Sequence, residues 1–151
     1  MTSTTTEKYL EVTLSQVFQL IGLKKSFLVV YYPQWAKKKF LDQMTLVERN
    51  VITPIVQRFG FRPRTVVLFI QGSDSPEEYI IEKLNITKIP HVEIYSRGNR
   101  VNGWHVEEIP DSFYWLYQFE PESTDLFPGN VQSVLFQSNQ YTASEPLKIF
   151  V

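Results

Sequence analysis

The sequence predicts an α/β protein, a three-layer α/β/α sandwich around a central mixed sheet. Three observations predict it. Residues 27–32 (FLVVYY) are apolar at every position and 64–71 (RTVVLFIQ) hold an apolar run from Val66 to Ile70, as strands covered on both faces do. Segments with helical spacing separate these runs, which is how parallel strands are connected. A strand over 92–95 is followed by Arg97-Gly98-Asn99-Arg100, a tight-turn signal that returns the chain antiparallel. The predicted order is β-α-β-α-β-α-β-β-α.

Each element follows in turn. Residues 1–8 are polar and Thr-rich and read as a loose N-terminal tail. Residues 9–12 suit a short strand. Thr13 is an N-cap, and Leu14, Val17, Phe18 and Ile21 fall at helical spacing, with Gly22 ending the helix. The strand at 27–32 leads to a long helix over 36–59. Phe40, Met44, Val47, Val51 and Ile55 trace its apolar stripe, away from Asp42, Glu48 and Arg49. Pro54 has no amide to donate, so a kink or a restart capped by Thr53 is expected. After the strand at 64–71, Ser75 caps a helix running to about Leu84. Pro76 takes its first position, and Glu77 and Glu78 stand in the first turn, where the dipole favours acids. Val92 and Ile94 alternate with Glu93 and Tyr95, predicting a strand with unlike faces, and 101–106 forms the return strand. Pro110 and Asp111 open a last helix (DSFYWLYQFE). Residues 9–119 form the domain. Residues 120–151 form a C-terminal extension that packs on the domain or on a partner, with strand-like stretches NVQSVLF and PLKIFV.

Composition excludes several chemistries. The chain has no cysteine, so disulfides, thiol redox catalysis and thiolate metal sites are ruled out. Two histidines, His91 and His105, are too few for a multi-histidine metal site, and no metal and no cofactor is expected. Gly72, Gly98 and Gly103 read as isolated turn glycines, and no phosphate-binding loop is present. The net charge of -1 gives no global attraction to nucleic acid or anionic lipid. Arg58, Arg62, Arg64, Arg97 and Arg100 lie scattered among acids, so no nucleic-acid partner is expected. No stretch reaches membrane-spanning length and the N-terminus has no signal-peptide core. No membrane association is expected, and the location is read as intracellular, cytoplasmic or nuclear.

Residues 27–40 (FLVVYYPQWAKKKF) resemble the strand, Trp-Cys-x-x-Cys turn and helix of the thioredoxin family. Trp35 lies on the family's Trp. Ala36 and Lys39 fall where the two cysteines belong, with Lys37 and Lys38 between them. Residues 86–101 (ITKIPHVEIYSRGNRV) are similar to the family's Ile-Pro segment, strand and hairpin. The resemblance covers about residues 9–119. It implies a thioredoxin-like fold with a cis-proline at Pro90 facing the turn. Val30 stands where the family keeps a buried acid, so thiols and proton handler are missing together, and the resemblance is to a redox-inactive member. The stretch after Trp35 is longer than the family's, with an insertion near Thr53 and Pro54.

Candidate binding residues follow. Lys37, Lys38 and Lys39 form a cationic knob for an acidic peptide or phosphate, or a solvated turn. Lysines at a helix start oppose the dipole, and an unfavourable local choice favours function. By the resemblance, Trp35 would wall a groove beside Pro90, with the backbone of Ile89 pairing an extended peptide; plain packing is the alternative. Phe113, Tyr114, Trp115, Leu116, Tyr117 and Phe119 would ring a whole short helix, more apolar surface than one packed stripe needs. The extension, a partner or a second copy would cover the surplus. His91 and His105 have no acid at a catalytic spacing and read as structural or surface groups. Asp111 and Ser112 form no triad with either, Glu77 and Glu78 serve the helix dipole, and Glu107 and Glu108 lie in a loop.

The expected function is a non-catalytic thioredoxin-like protein–protein interaction module, a scaffold, adaptor or complex subunit. It would bind one or more protein partners through the vestigial loop, the Pro90 groove and the aromatic helix, with a homo-oligomer as one outcome. Its rivals are an enzyme borrowing an external thiol, as glutathione transferases do, and a nucleic-acid-associated subunit.

Overall fold

A computed structural model of the chain describes residues 8–72, 74–122 and 125–127. The main sheet has five strands: β1 (Leu10–Glu11), β2 (Phe27–Pro33), β4 (Thr65–Ile70), β5 (His91–Ser96) and β6 (Asn99–His105), in the order β1-β4-β2-β5-β6. The pairs β1/β4 and β2/β4 are parallel, while β2/β5 and β5/β6 are antiparallel. The sheet is therefore mixed, as its sequence pattern requires.

Alternation along the strands builds two cores. From β2, Leu28, Val30 and Tyr32 join Val67, Phe69, Val92 and Ile94 on one face. Phe27, Val29 and Tyr31 join Val66, Leu68, Ile70 and Tyr95 on the other. The helices α1 (Leu14–Gly22) and α4 (Pro76–Lys83) supply Val17, Leu20 and Ile81 to the second face. The first face is covered by the helical stretch after β2 and by Trp115 and Phe119. The result is the expected three-layer sandwich, and it explains the long apolar runs in β2 and β4.

The stretch after β2 is not the single α-helix that its stripe predicts. It begins with 3₁₀ turns at Gln34–Lys39 and Leu41–Gln43. It continues as a short α2 (Thr45–Val47), a π turn at Glu48–Ile52, and α3 (Thr53–Phe59). The stripe itself holds: Phe40, Met44, Val47, Val51 and Ile55 are all buried. Pro54 neither breaks the helix nor restarts it under a Thr53 cap. Ile52 keeps helical angles, and no side chain caps α3. Instead the Thr53 amide donates to the Glu48 carbonyl, five residues back, the wider winding of a π bulge.

Helix ends follow local chemistry. Thr13 caps α1, and Gln16 completes a reciprocal capping box with it. Gly22 stays inside α1, and Lys24 (φ 60°) takes the left-handed position two residues later. Ser75 accepts from the Glu78 amide, with Pro76 at the first helical position as expected. In the β5–β6 hairpin both central residues, Arg97 (φ 53°) and Gly98 (φ 86°), have positive φ, the type I′ signature. A side chain at Gly98 would lie 2.8 Å from the Ile21 carbonyl, so the turn tucks against the end of α1.

Two further elements were not foreseen. Before β4, β3 (Arg62–Pro63) pairs antiparallel with β7 (Leu126–Phe127). The last predicted helix is instead two 3₁₀ turns, Ser112–Tyr114 and Leu116–Gln118, separated by Trp115 at φ -136°. The expectations for residues 1–7 and for the strand-like stretches within 128–151 lie outside the described residues. Among the described residues no helix is long and apolar enough to cross a membrane.

Candidate functional site

At the end of β2 the chain leaves the sheet through Pro33, still extended at φ -70° and ψ 133°, and enters the 3₁₀ turn of Gln34–Lys39. Phe40 fixes this turn from beneath. Its ring meets Tyr9 and Tyr32 at 5.2 Å each and Phe69 at 5.5 Å, all edge-on, the arrangement aromatic quadrupoles favour. With Phe40 held in the core, Trp35 is forced outward and is 87% exposed.

Lys37 lies back over the sheet edge. Its Nζ is 2.9 Å from Glu11 Oε1 and 4.7 Å from the centre of the Phe69 ring, an ion pair beside a cation–π contact. Lys38 and Lys39 are exposed. An open hollow of about 580 Å³ lies here, lined by Gln34, Trp35, Lys37, Lys38, Phe40, Leu41 and Phe69.

The Ile89–Pro90 peptide bond is cis, as the resemblance implies. Among the described residues, no hollow is lined by both Trp35 and Pro90. Pro90 lines a different one, with Gln43, Leu46 and His105. Ile89 lines a third, with Ile70, Ile81 and Ile86.

The aromatic segment divides sharply. Phe113, Tyr114 and Tyr117 are exposed and border a hollow of about 540 Å³ with Arg58 and Leu116. Trp115 corrects the sequence expectation: it is 1% exposed and belongs to the core. Its indole N–H donates to the Pro110 carbonyl at 3.2 Å, and its ring lies 5.6 Å from Trp104. Asp111 caps the first turn by accepting the Phe113 amide at 2.8 Å. A chain wound as two short turns can send Trp115 and Phe119 inward and their neighbours outward.

Sequence reasoning missed two polar clusters. In the first, Glu93 is fully buried on β5, so the strand does not have the polar face its alternation suggests. His91 Nε2 lies 2.5 Å from Glu93 Oε2, and Arg100 Nε donates to Glu93 Oε1. Gly103 is no turn glycine. It sits on β6 opposite Glu93, where a Cβ would lie 2.7 Å from the Glu93 carboxyl carbon. His91 thus has its acid after all, two residues along the same strand face. Around them, burial pushes the Tyr31 phenol well up and that of Tyr95 up to about 12. The sequence signal was present: His and Glu two apart in a strand, with Gly opposite once the hairpin register is fixed.

The second cluster joins Glu48 to Tyr9 and Arg62. The Tyr9 hydroxyl donates to Glu48, and Arg62 binds the same carboxylate through two nitrogens at 3.0 and 2.8 Å. Burial opposes ionisation of Glu48, but the Arg62 and Tyr9 hydrogen bonds outweigh it and hold the carboxyl below its ordinary value.

The arginines are largely committed. Arg62 pairs with Glu48, Arg64 with Asp125 at 3.8 Å, and Arg100 with Glu93, while Arg97 donates to the Glu120 carbonyl. Among the described residues no three His, Asp or Glu side chains form a group able to hold a metal. Val30, on the frame of the missing buried acid, is itself fully buried. The Trp35 turn thus has apolar surface and positive charge but no nucleophile of the thiol class.

Searches of protein-family models and of curated proteins returned no match. Among solved structures, a protein with a thioredoxin fold is 16% identical, with 74% of this chain and 94% of that one covered and a TM-score of 0.48. Thioredoxin O2 from Arabidopsis thaliana is 8% identical over 74% of this chain and 90% of its own, at 0.40. Thioredoxin from Aeropyrum pernix is 12% identical over 74% and 86%, at 0.41. The fold assignment rests on the strand order, the mixed pairing and the two packed faces. The architecture is a thioredoxin-like α/β fold. With no cysteine in its 151 residues, the chain lacks the Cys-x-x-Cys motif and thiol redox chemistry with it.

Proposed function

We propose that this chain is a non-catalytic protein-binding module, a scaffold or complex subunit that works at the Trp35 end of its sheet. The observation that carries this reading is the seating of the turn. Phe40 is locked into an aromatic cluster while Trp35 is held 87% exposed beside the hollow. A large, water-exposed indole next to an apolar depression is the composition of an interface centre. The absence of any cysteine supports a binding role over catalysis of the thiol type. The exposed Phe113, Tyr114 and Tyr117 form a second surface for a partner or a second copy.

The reading is tested by placing a photo-cross-linking amino acid at Lys39 and, as a control, at Tyr79, which is 57% exposed on α4. Discrete adducts from Lys39 that disappear in the Trp35→Ala background are expected. Equal adducts from both positions, or adducts indifferent to Trp35, would overturn it.

A further inference from the structure

We propose that the Trp35 hollow takes an acidic protein segment bearing a large apolar side chain, and that Glu11 is a built-in competitor for it. The inference rests on the Trp35 end being the binding surface. Phe40 and Phe69 supply an apolar floor, while Trp35 and Leu41, 87% and 45% exposed, leave apolar walls in water. No acidic side chain lines the hollow, and Lys37 and Lys38 border it. At about 580 Å³ its size lies within the usual range for ligand pockets, roughly 300–1,000 Å³. A positive rim around an apolar floor complements an acidic, apolar segment and repels a basic one.

The position of Glu11 carries the argument further. Its carboxylate reaches across from β1 to the Lys37 ammonium at 2.9 Å, beside the Phe69 ring. It occupies the place that a partner's carboxylate would take while an adjacent apolar group entered the hollow. The two side chains are 28% and 37% exposed. An ion pair this open to water contributes little, so an incoming carboxylate can displace it. Glu11 therefore sets the affinity of the site without lining it.

Isothermal titration with three probe peptides tests this: acetyl-Asp-Glu-Phe-Asp-Glu-amide, the same peptide with Ala for Phe, and its Lys-for-acid counterpart. The acidic Phe peptide is expected to bind, the Ala peptide to bind about tenfold more weakly, and the Lys peptide to show no binding. Glu11→Gln is expected to tighten the acidic Phe peptide by about two- to fivefold, the scale of releasing one exposed ion pair. Glu82→Gln, which removes the same charge from the opposite layer, is expected to leave it unchanged. Binding of the Lys peptide as strong as the acidic one, or no gain in Glu11→Gln, would overturn the acidic-partner inference while leaving the surface itself standing. Acidic Phe binding that survives Trp35→Ala undiminished would overturn the surface as well. Failure of all three peptides to bind would overturn the inference alone, because the cross-linking from Lys39 reads the surface independently.

Discussion

Glu93 carries a fully buried carboxylate. A carboxylate with no exposure is tolerated only when its oxygens are hydrogen-bonded and its charge is paired, and His91 and Arg100 meet both needs. Gly103 supplies the third need, room, because any Cβ there would overlap the carboxyl group. Gly103→Ala is expected to cost about 1–3 kcal/mol by overpacking, and Glu93→Gln to cost a similar amount by breaking a charge-assisted network. Urea denaturation checks both. In the double variant Glu93→Ala/Gly103→Ala the glycine substitution should lose most of its cost, because the clashing carboxylate is gone. Additive losses would show that Gly103 serves something other than Glu93. This cluster was only half legible in the sequence. His91 and Glu93 are visibly two apart, but pairing with Gly103 and Arg100 depends on hairpin register. Alternation alone showed only that Glu93 and Val92 lie on unlike faces.

Among the elements, strands were the most legible because β2 and β4 carry unbroken apolar runs and the hairpin carries its own turn residues. The helical stretch after β2 was legible as a buried stripe but not as a winding. Phe40, Met44, Val47, Val51 and Ile55 fit an α-helical period, yet Pro54 and the tight exit at Pro33 are met by π and 3₁₀ turns. Those choices depend on the backbone hydrogen bonds available locally, which a hydrophobic pattern does not record. The same stretch is tied to its neighbours through Glu48, which joins Tyr9 next to β1 and Arg62 in β3. The folded-state pKa of Glu48 lies below its ordinary value of 4.5. Between those two values the unfolded chain holds more protons, so stability rises with pH there. The contribution is fully present above 4.5 and is lost as pH falls through the folded value. Glu48→Gln is therefore expected to lower stability at neutral pH and to flatten its decline below about pH 5. Thermal melts at closely spaced pH values read both effects, and an unchanged acid limb would assign the decline to other carboxylates.

For the whole molecule, the chain after Phe119 is tied back to the sheet. Ser26 donates to the Glu120 carbonyl, the Glu120 amide donates to Ser96, and Arg97 reaches the same carbonyl. Farther on, the buried Asp125 meets the buried Arg64, and β7 pairs with β3. A chain ending at Phe119 is expected to be less stable than one ending at Phe127 by about 2–4 kcal/mol, since a buried charge pair and several hydrogen bonds are lost together. Equal denaturant midpoints would show that the contacts of Glu120 and Asp125 lie on the domain without supporting it. The sequence left open whether the extension meets the domain or a partner, and it did not single out Glu120 or Asp125, because these residues are polar and their partners lie far away along the chain. The fold class was readable from apolar runs and one turn. The candidate site was readable only as Trp35 and its lysines, while the Phe69 floor and the Glu11 contact required the folded sheet.

The three indoles occupy three settings: Trp35 stands in water, Trp104 is half-buried and Trp115 is enclosed. The molecule thus carries its own optical reporters. Iodide, which quenches only what solvent can reach, should silence Trp35 first and Trp115 last. Occupation of the hollow would shield the first while leaving the emission of the last untouched. Site occupancy and the integrity of the fold are therefore separable in one unlabelled sample by the colour and accessibility of its tryptophan light.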